Sequence, residues 1–170
     1  MLRNITNKRG IELSFSFIFS LIVAAVVIFV GIWGVKKLIE FSEGNKISLS
    51  IKEIQNTVEE VWQAHESRRV ETFYFPSSVK AICFINNSQT SGIEQRLRND
   101  ILKYQAYFSK YNLFILPFEL RNKYRIQGYY NITCGQIRCL DFNSFCVENK
   151  DGKIKIFFES FDGRVKISKA

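Results

Sequence analysis

The chain is poor in the side chains that most enzyme chemistry recruits. Of its 170 residues, one is histidine and one is methionine. General acid–base work and nucleophile activation use histidine more than any other group, so a lone imidazole at His65 removes most such enzymes. No G-x-S-x-G, H-E-x-x-H, Walker A or G-x-G-x-x-G pattern occurs. Glu59 and Glu60 are adjacent and Glu66 follows His65, but neighbouring carboxylates on a helix are ordinary solvated groups. Internal repeats, low-complexity tracts and a second-domain linker are also missing. The length excludes a large multidomain enzyme and leaves one ordinary domain plus an appendage. A hydrophobic fraction of 46% excludes wholesale disorder. The expectation is a non-enzymatic protein without a cofactor.

Much of the apolar content sits in one early stretch. Leu13–Val35 reads LSFSFIFSLIVAAVVIFVGIWGV, 23 residues without a charge. As a helix it spans roughly 34 Å, enough for a hydrocarbon core of about 30 Å. Ser14, Ser16 and Ser20 can return their hydroxyls to the preceding turn, which makes them tolerable in lipid. Trp33, one turn before Lys36 and Lys37, suits a bilayer interface. Arg3, Lys8, Arg9 and the amino terminus precede the span, and the bias in basic residues puts that side in the cytoplasm. A cleaved secretory signal has an apolar region of about 7–15 residues, shorter than this one. The expected organisation is a cytoplasmic leader over 1–12, a transmembrane helix over 13–35 and a juxtamembrane linker over 36–46. An extracytoplasmic domain over 47–170 then completes a single-pass protein of the cell membrane.

Lys8-Arg9-Gly10-Ile11-Glu12 runs directly into this apolar helix. The pattern resembles the class III signal of type IV pilins and archaeal pilin-like proteins, which have a short basic leader, a Gly at the processing site and a nearby Glu. KRGIELSFSFIFSLIVAAVVI, followed later by FYFPSSVKAICFIN, is most similar to archaeal membrane-anchored proteins with pilin-like starts. The likeness covers about the first 35 residues well and the remaining chain only vaguely. It implies cleavage after Gly10, a mature chain beginning at Ile11, and packing of the exposed helix with like subunits in a filament. Two features depart from the family. The Glu of type IV pilins usually stands fifth in the mature chain, whereas Glu12 would stand second. Archaeal versions tend to carry a small or apolar residue there.

Beyond the span, Gly44-Asn45 is a break signal. Ile47, Ile51, Ile54, Val58, Val61 and His65 then recur in steps of four and three, with Trp62 alongside. This is one apolar stripe on a helix of about five turns ending near Ser67. The repeat is too short for a coiled-coil stalk, so the stripe is expected to pack on the domain's own sheet. Val70–Phe75 and Val79–Ile85 read as strands joined by the tight connection Pro76-Ser77-Ser78. Residues 86–92 are a loop by composition. Ile93, Leu97, Ile101, Tyr104 and Phe108 mark a second amphipathic helix over Ile93–Tyr111. Leu113–Phe118 is a short buried strand that Pro117 confines to an edge or ends. The last fifty residues hold short alternating runs, with Asp151-Gly152 and Asp162-Gly163 as hairpin signals. The fold class expected is therefore α+β, two amphipathic helices packed on a mainly antiparallel sheet.

Cys83, Cys134, Cys139 and Cys146 all follow the span. Outside the cell, an even count suggests two disulfides. A local loop, Cys134–Cys139 or Cys139–Cys146, would leave Cys83 to reach the remaining cysteine. Cys83 could instead be a buried thiol in its apolar strand. The spacings Cys134-x₄-Cys139 and Cys139-x₆-Cys146 fit structural zinc poorly, and no metal is expected. Asn86 and Asn131 head N-glycosylation sequons, as does Asn4 in the leader, which shows how readily the pattern arises by chance.

The formal charge of +8 is uneven. Residues 96–170 hold 14 basic and 7 acidic groups, with Arg121, Lys123, Arg125, Tyr129 and Tyr130 interleaving charge and aromatic rings. Outside the membrane that pattern favours anionic headgroups, surface polymers or an acidic partner, and nucleic acid is not expected. Lys153, Lys155, Arg164 and Lys166 alternate with apolar neighbours, as on a solvated strand face, and such residues also blunt edge pairing. The functional expectation is a membrane-anchored surface protein, a pilin-like subunit acting through protein–protein contacts with the bilayer and like subunits as partners. A tethered extracellular binding module is the alternative.

Overall fold

The computed structural model describes residues 15–64, 67–86, 92–136 and 139–170. The chain divides after Ile39 into two units, and helix α1 (Phe15–Gln63) contributes to both. In the first unit α1 carries large apolar side chains that are exposed along its length. In the second unit it supplies the core helix. Ile47, Ile51, Ile54, Val58 and Val61 are all buried, each contributing roughly 1.5–3 kcal/mol of burial. The stripe thus packs within its own domain. The helix ends at Gln63 rather than near Ser67, and His65 lies outside the described residues.

Gly44-Asn45 does not break the helix, so the 36–46 segment expected as a linker is helical. The reason is a neighbour far along the chain. Gly44 is buried, and a Cβ there would lie 3.1 Å from the carbonyl oxygen of Tyr124. The missing side chain serves a close approach, at a helix-propensity cost of about 1 kcal/mol relative to Ala.

The strands form two four-stranded sheets, where sequence pattern pointed to one. The first comprises β1 (Arg68–Tyr74), β7 (Lys153–Phe161), β8 (Arg164–Lys169) and β5 (Leu140–Asp141), in that order. The second runs β4 (Tyr129–Tyr130), β3 (Leu113–Leu116), β2 (Ala81–Phe84), β6 (Phe145–Glu148). Among the described residues, the pairings of these strands are antiparallel except that of β5 with β8. The Pro76-Ser77-Ser78 connection therefore joins strands of different sheets. Alternation reports which face of a strand is buried, not which strand lies beside it. β3 ends at Leu116, before Pro117, but sits inside its sheet.

Both Asp-Gly pairs turn the chain, but only the second joins two paired strands as the hairpin signal implied. Asp151 and Gly152 have φ of 54° and 79°, Asp162 and Gly163 of 49° and 72°. Two successive positive φ values match the twist of flanking strands. The first turn hands the chain from β6 to β7, between sheets, and the second joins β7 to β8.

One core lies among the α1 stripe and the inner faces of both sheets, including Phe73, Ile82, Phe84, Ile115, Ile156 and Phe158. A second covers the opposite face of the second sheet, where Ala81, Cys83, Phe114 and Leu116 meet Ile93, Leu97, Ile101, Tyr104 and Phe108. The expected helix over Ile93–Tyr111 is split into α2 (Gln95–Leu102) and a 3₁₀ turn (Gln105–Tyr107), yet the predicted face is the buried one. A further short helix, α3 (Leu120–Tyr124), brings the helix count to three among the described residues. Among the described residues, the second sheet is covered on both faces, whereas the first is covered on one.

Candidate functional site

Two surfaces of the described chain lack the cover that ordinary packing supplies. The first is the apolar stretch of α1. Its best membrane-length window has no buried residue, and Phe15, Phe29 and Trp33 are 84%, 73% and 59% exposed. A core helix of a soluble protein would bury one side of such a sequence. Ser20 returns its Oγ hydrogen to the Ser16 carbonyl at 2.9 Å, the arrangement expected of a hydroxyl in an apolar setting. The processing residues Gly10, Ile11 and Glu12 lie outside the described residues.

The second is the outward face of the first sheet. Strand register places Lys153 and Lys155 on it together with Tyr74 and Thr72 of β1. Arg164 and Lys166 of β8 lie near its other end, beside Phe161 and Glu159. All four cationic residues are exposed, as the alternation predicted.

The basic and aromatic segment after Arg121 has a different role. Its rings face inward. Tyr129 is buried in β4 and stacks on Tyr107 with centroids 4.4 Å apart, while Tyr111 approaches the same ring at 4.4 Å. The Arg121 guanidinium lies 5.4 Å from the Tyr129 centroid and 5.8 Å from that of Tyr107, a cation–π contact made within the chain. Lys123 covers the ring of Tyr124 at 4.9 Å. The Tyr124 hydroxyl donates to the Glu43 carboxylate, which also accepts from Ser78 Oγ at 3.2 Å. Tyr130 is half-buried, and burial raises the pKa of its hydroxyl. Arg125 is exposed in a left-handed conformation after α3. Of the five residues expected as one surface, the structure uses Arg121 and Tyr129 in packing and leaves Lys123 and Arg125 outside.

The cysteines pair as Cys83–Cys146 and Cys134–Cys139. Cys83 and Cys146 are directly opposite on β2 and β6, with Cα atoms 4.0 Å apart. Cys83 is therefore not a free thiol, and no cysteine remains as a thiolate ligand. Among the described residues no group of three His, Cys, Asp or Glu side chains is placed to hold a metal ion.

Asn86 and Asn131 differ sharply. The Asn86 side-chain nitrogen donates to the Phe142 carbonyl at 2.9 Å, and its backbone N–H donates to Ser144 Oγ at 2.9 Å. A glycan would need that same nitrogen. Asn131 is exposed. The rest of its sequon is held by two amide side chains that pattern reading did not single out. Asn112 brackets Ile132, donating to its carbonyl and accepting from its N–H, both at 2.8 Å. Gln55 of α1 does the same for Thr133, at 2.7 and 3.2 Å. Both amides act like a strand neighbour for Ile132 and Thr133.

Compared with known proteins, the chain matches no family model, no curated protein and no solved structure.

Proposed function

We propose that the chain is a non-enzymatic, single-pass protein of the cell membrane that displays residues from Glu40 onward outside the cell. The observation that carries this reading is the uncovered apolar stretch of α1, which has the length and composition to span a bilayer. Basic residues ahead of the span favour a cytoplasmic amino terminus. The two disulfides suit an oxidising compartment.

In this account the protein is a pilin-like subunit. A peptidase cuts after Gly10, and the mature chain, starting at Ile11, packs with like subunits or other membrane proteins through the apolar surface of α1. The domain that follows then provides the exterior. Mass spectrometry of the native amino terminus tests the pilin route. A mature chain beginning at Ile11 is expected. An intact leader at Met1 would overturn processing and leave a membrane-tethered binding module, the reading that the bare face of the first sheet favours.

A further inference from the structure

The bare face of the first sheet is patterned, not uniform. Along β7, outward residues alternate with the buried Ile154, Ile156 and Phe158. Lys153 and Lys155 stand at one end, beside Tyr74, which is 63% exposed. Arg164 and Lys166 stand at the other, beside Phe161, which is 72% exposed. Phe157 and Val70 lie between them as register partners. At about 3.4 Å per residue, the track from Lys153 to Phe161 is roughly 27 Å long. The Phe161 end opens into a cleft of about 530 Å³ that Asp141, Glu159 and Lys166 help to line.

We propose that this face binds an acidic polysaccharide laid along β7. The chemistry of the two ends and the middle matches such a polymer. Lysine and arginine pair with uronate or sulfate groups through charge-assisted hydrogen bonds. The exposed rings offer flat apolar surfaces to the C–H faces of sugar rings. Asp141 and Glu159 decide between polyanions. Their carboxylates, with that of Asp162 in the same cleft, accept hydrogen bonds from the hydroxyls of a neutral sugar. A polymer that spaces its charges with neutral sugars therefore fits, where the phosphate at each step of a nucleic acid or a continuous layer of anionic headgroups is repelled. The Arg68–Glu159 ion pair already neutralises one cation, so the face is only moderately basic, as a partly neutral polymer requires. Extracytoplasmic display determines only where the polymer is met, and this inference rests on it for that alone.

The test uses the full chain in phosphatidylcholine nanodiscs, with hyaluronate, in which each uronate alternates with a neutral sugar, as the probe. Binding is expected to be at least about tenfold tighter than to neutral dextran of equal size and to weaken as salt rises. Lys153→Gln, Lys155→Gln and Lys166→Gln, each made alone, should weaken it about tenfold, one charge-assisted contact's worth. Tyr74→Ala and Phe161→Ala should weaken it several-fold by the loss of stacking area. Lys52→Gln and Lys110→Gln, exposed elsewhere, should leave it unchanged. Equal binding of dextran, insensitivity to the two aromatic variants, or tighter binding of poly(dT) or phosphatidylglycerol vesicles would overturn the proposal. Because the assay contains no cell, its outcome is independent of whether the leader is cleaved or which way the protein faces.

Discussion

Replacing Cys83 and Cys146 together by alanine is expected to cost the folded state about 4 kcal/mol. The bridge closes a loop with a sequence separation of 63, and the entropy removed from the unfolded chain grows with the logarithm of that length. Cys134→Ala with Cys139→Ala opens a loop with a separation of only 5 and should cost about 2 kcal/mol by the same relation. Domains are stable by about 5–15 kcal/mol, so the first variant approaches the limit of folding while the second does not. Urea unfolding, with the slope fitted separately for each variant, measures both. A larger loss from the short loop than from the long one would contradict loop closure as the source of the stability. The long bridge also joins β2 to β6 across the buried second sheet, so alanine there leaves a core defect in addition.

Tyr104→Ala should be comparably damaging, about 3–5 kcal/mol for a fully buried aromatic side chain. Tyr104 is wholly buried and contacts the rings of Phe114, Phe118 and Tyr129 at 5.4, 4.8 and 6.3 Å. Its hydroxyl donates to the Ile115 carbonyl at 2.7 Å. Tyr104→Phe keeps the ring and loses that bond, an expected cost of about 1 kcal/mol. Burial raises the hydroxyl's pKa, so it remains a donor through neutral and mildly alkaline pH. The same ring explains Gly128, where a Cβ would lie 2.7 Å from the hydroxyl oxygen. Unfolding midpoints of the two variants check the ordering. Equal losses would assign the whole effect to the hydrogen bond.

Tyr104 also shows what a sequence makes legible. Its place on the buried face of Ile93–Tyr111 followed from spacing alone, even though the element is an α-helix and then a 3₁₀ turn. Burial periodicity survives a change from 3.6 to 3 residues per turn over such a short distance. The α1 stripe and both Asp-Gly turns were legible for the same reason, since each is a local rule. Pairing was not. The division into two sheets depends on partners as distant as Tyr74 and Lys153, which no local pattern encodes. Gly44 misled because its propensity points to a break, while a contact with Tyr124 keeps it inside a helix. Tyr129 misled because both faces of its sheet are covered, so a basic neighbour did not imply an exposed ring. Gln55 and Asn112 bind backbone groups 78 and 20 residues away, and polar composition carries no sign of that. In the candidate site, strand alternation revealed the cations of the bare face, whereas the aromatic residues beside them required the register.

Labelling intact cells with a membrane-impermeant, amine-reactive reagent tests the central claim most directly. The membrane fraction is washed at alkaline pH, and modified lysines are mapped by mass spectrometry. The account predicts that the chain stays in the washed membranes and that Lys52, Lys110, Lys153 and Lys155, all exposed, are modified before lysis. Release of the chain by the wash, or modification of these lysines only after the cells are opened, would contradict a membrane-anchored domain displayed outside.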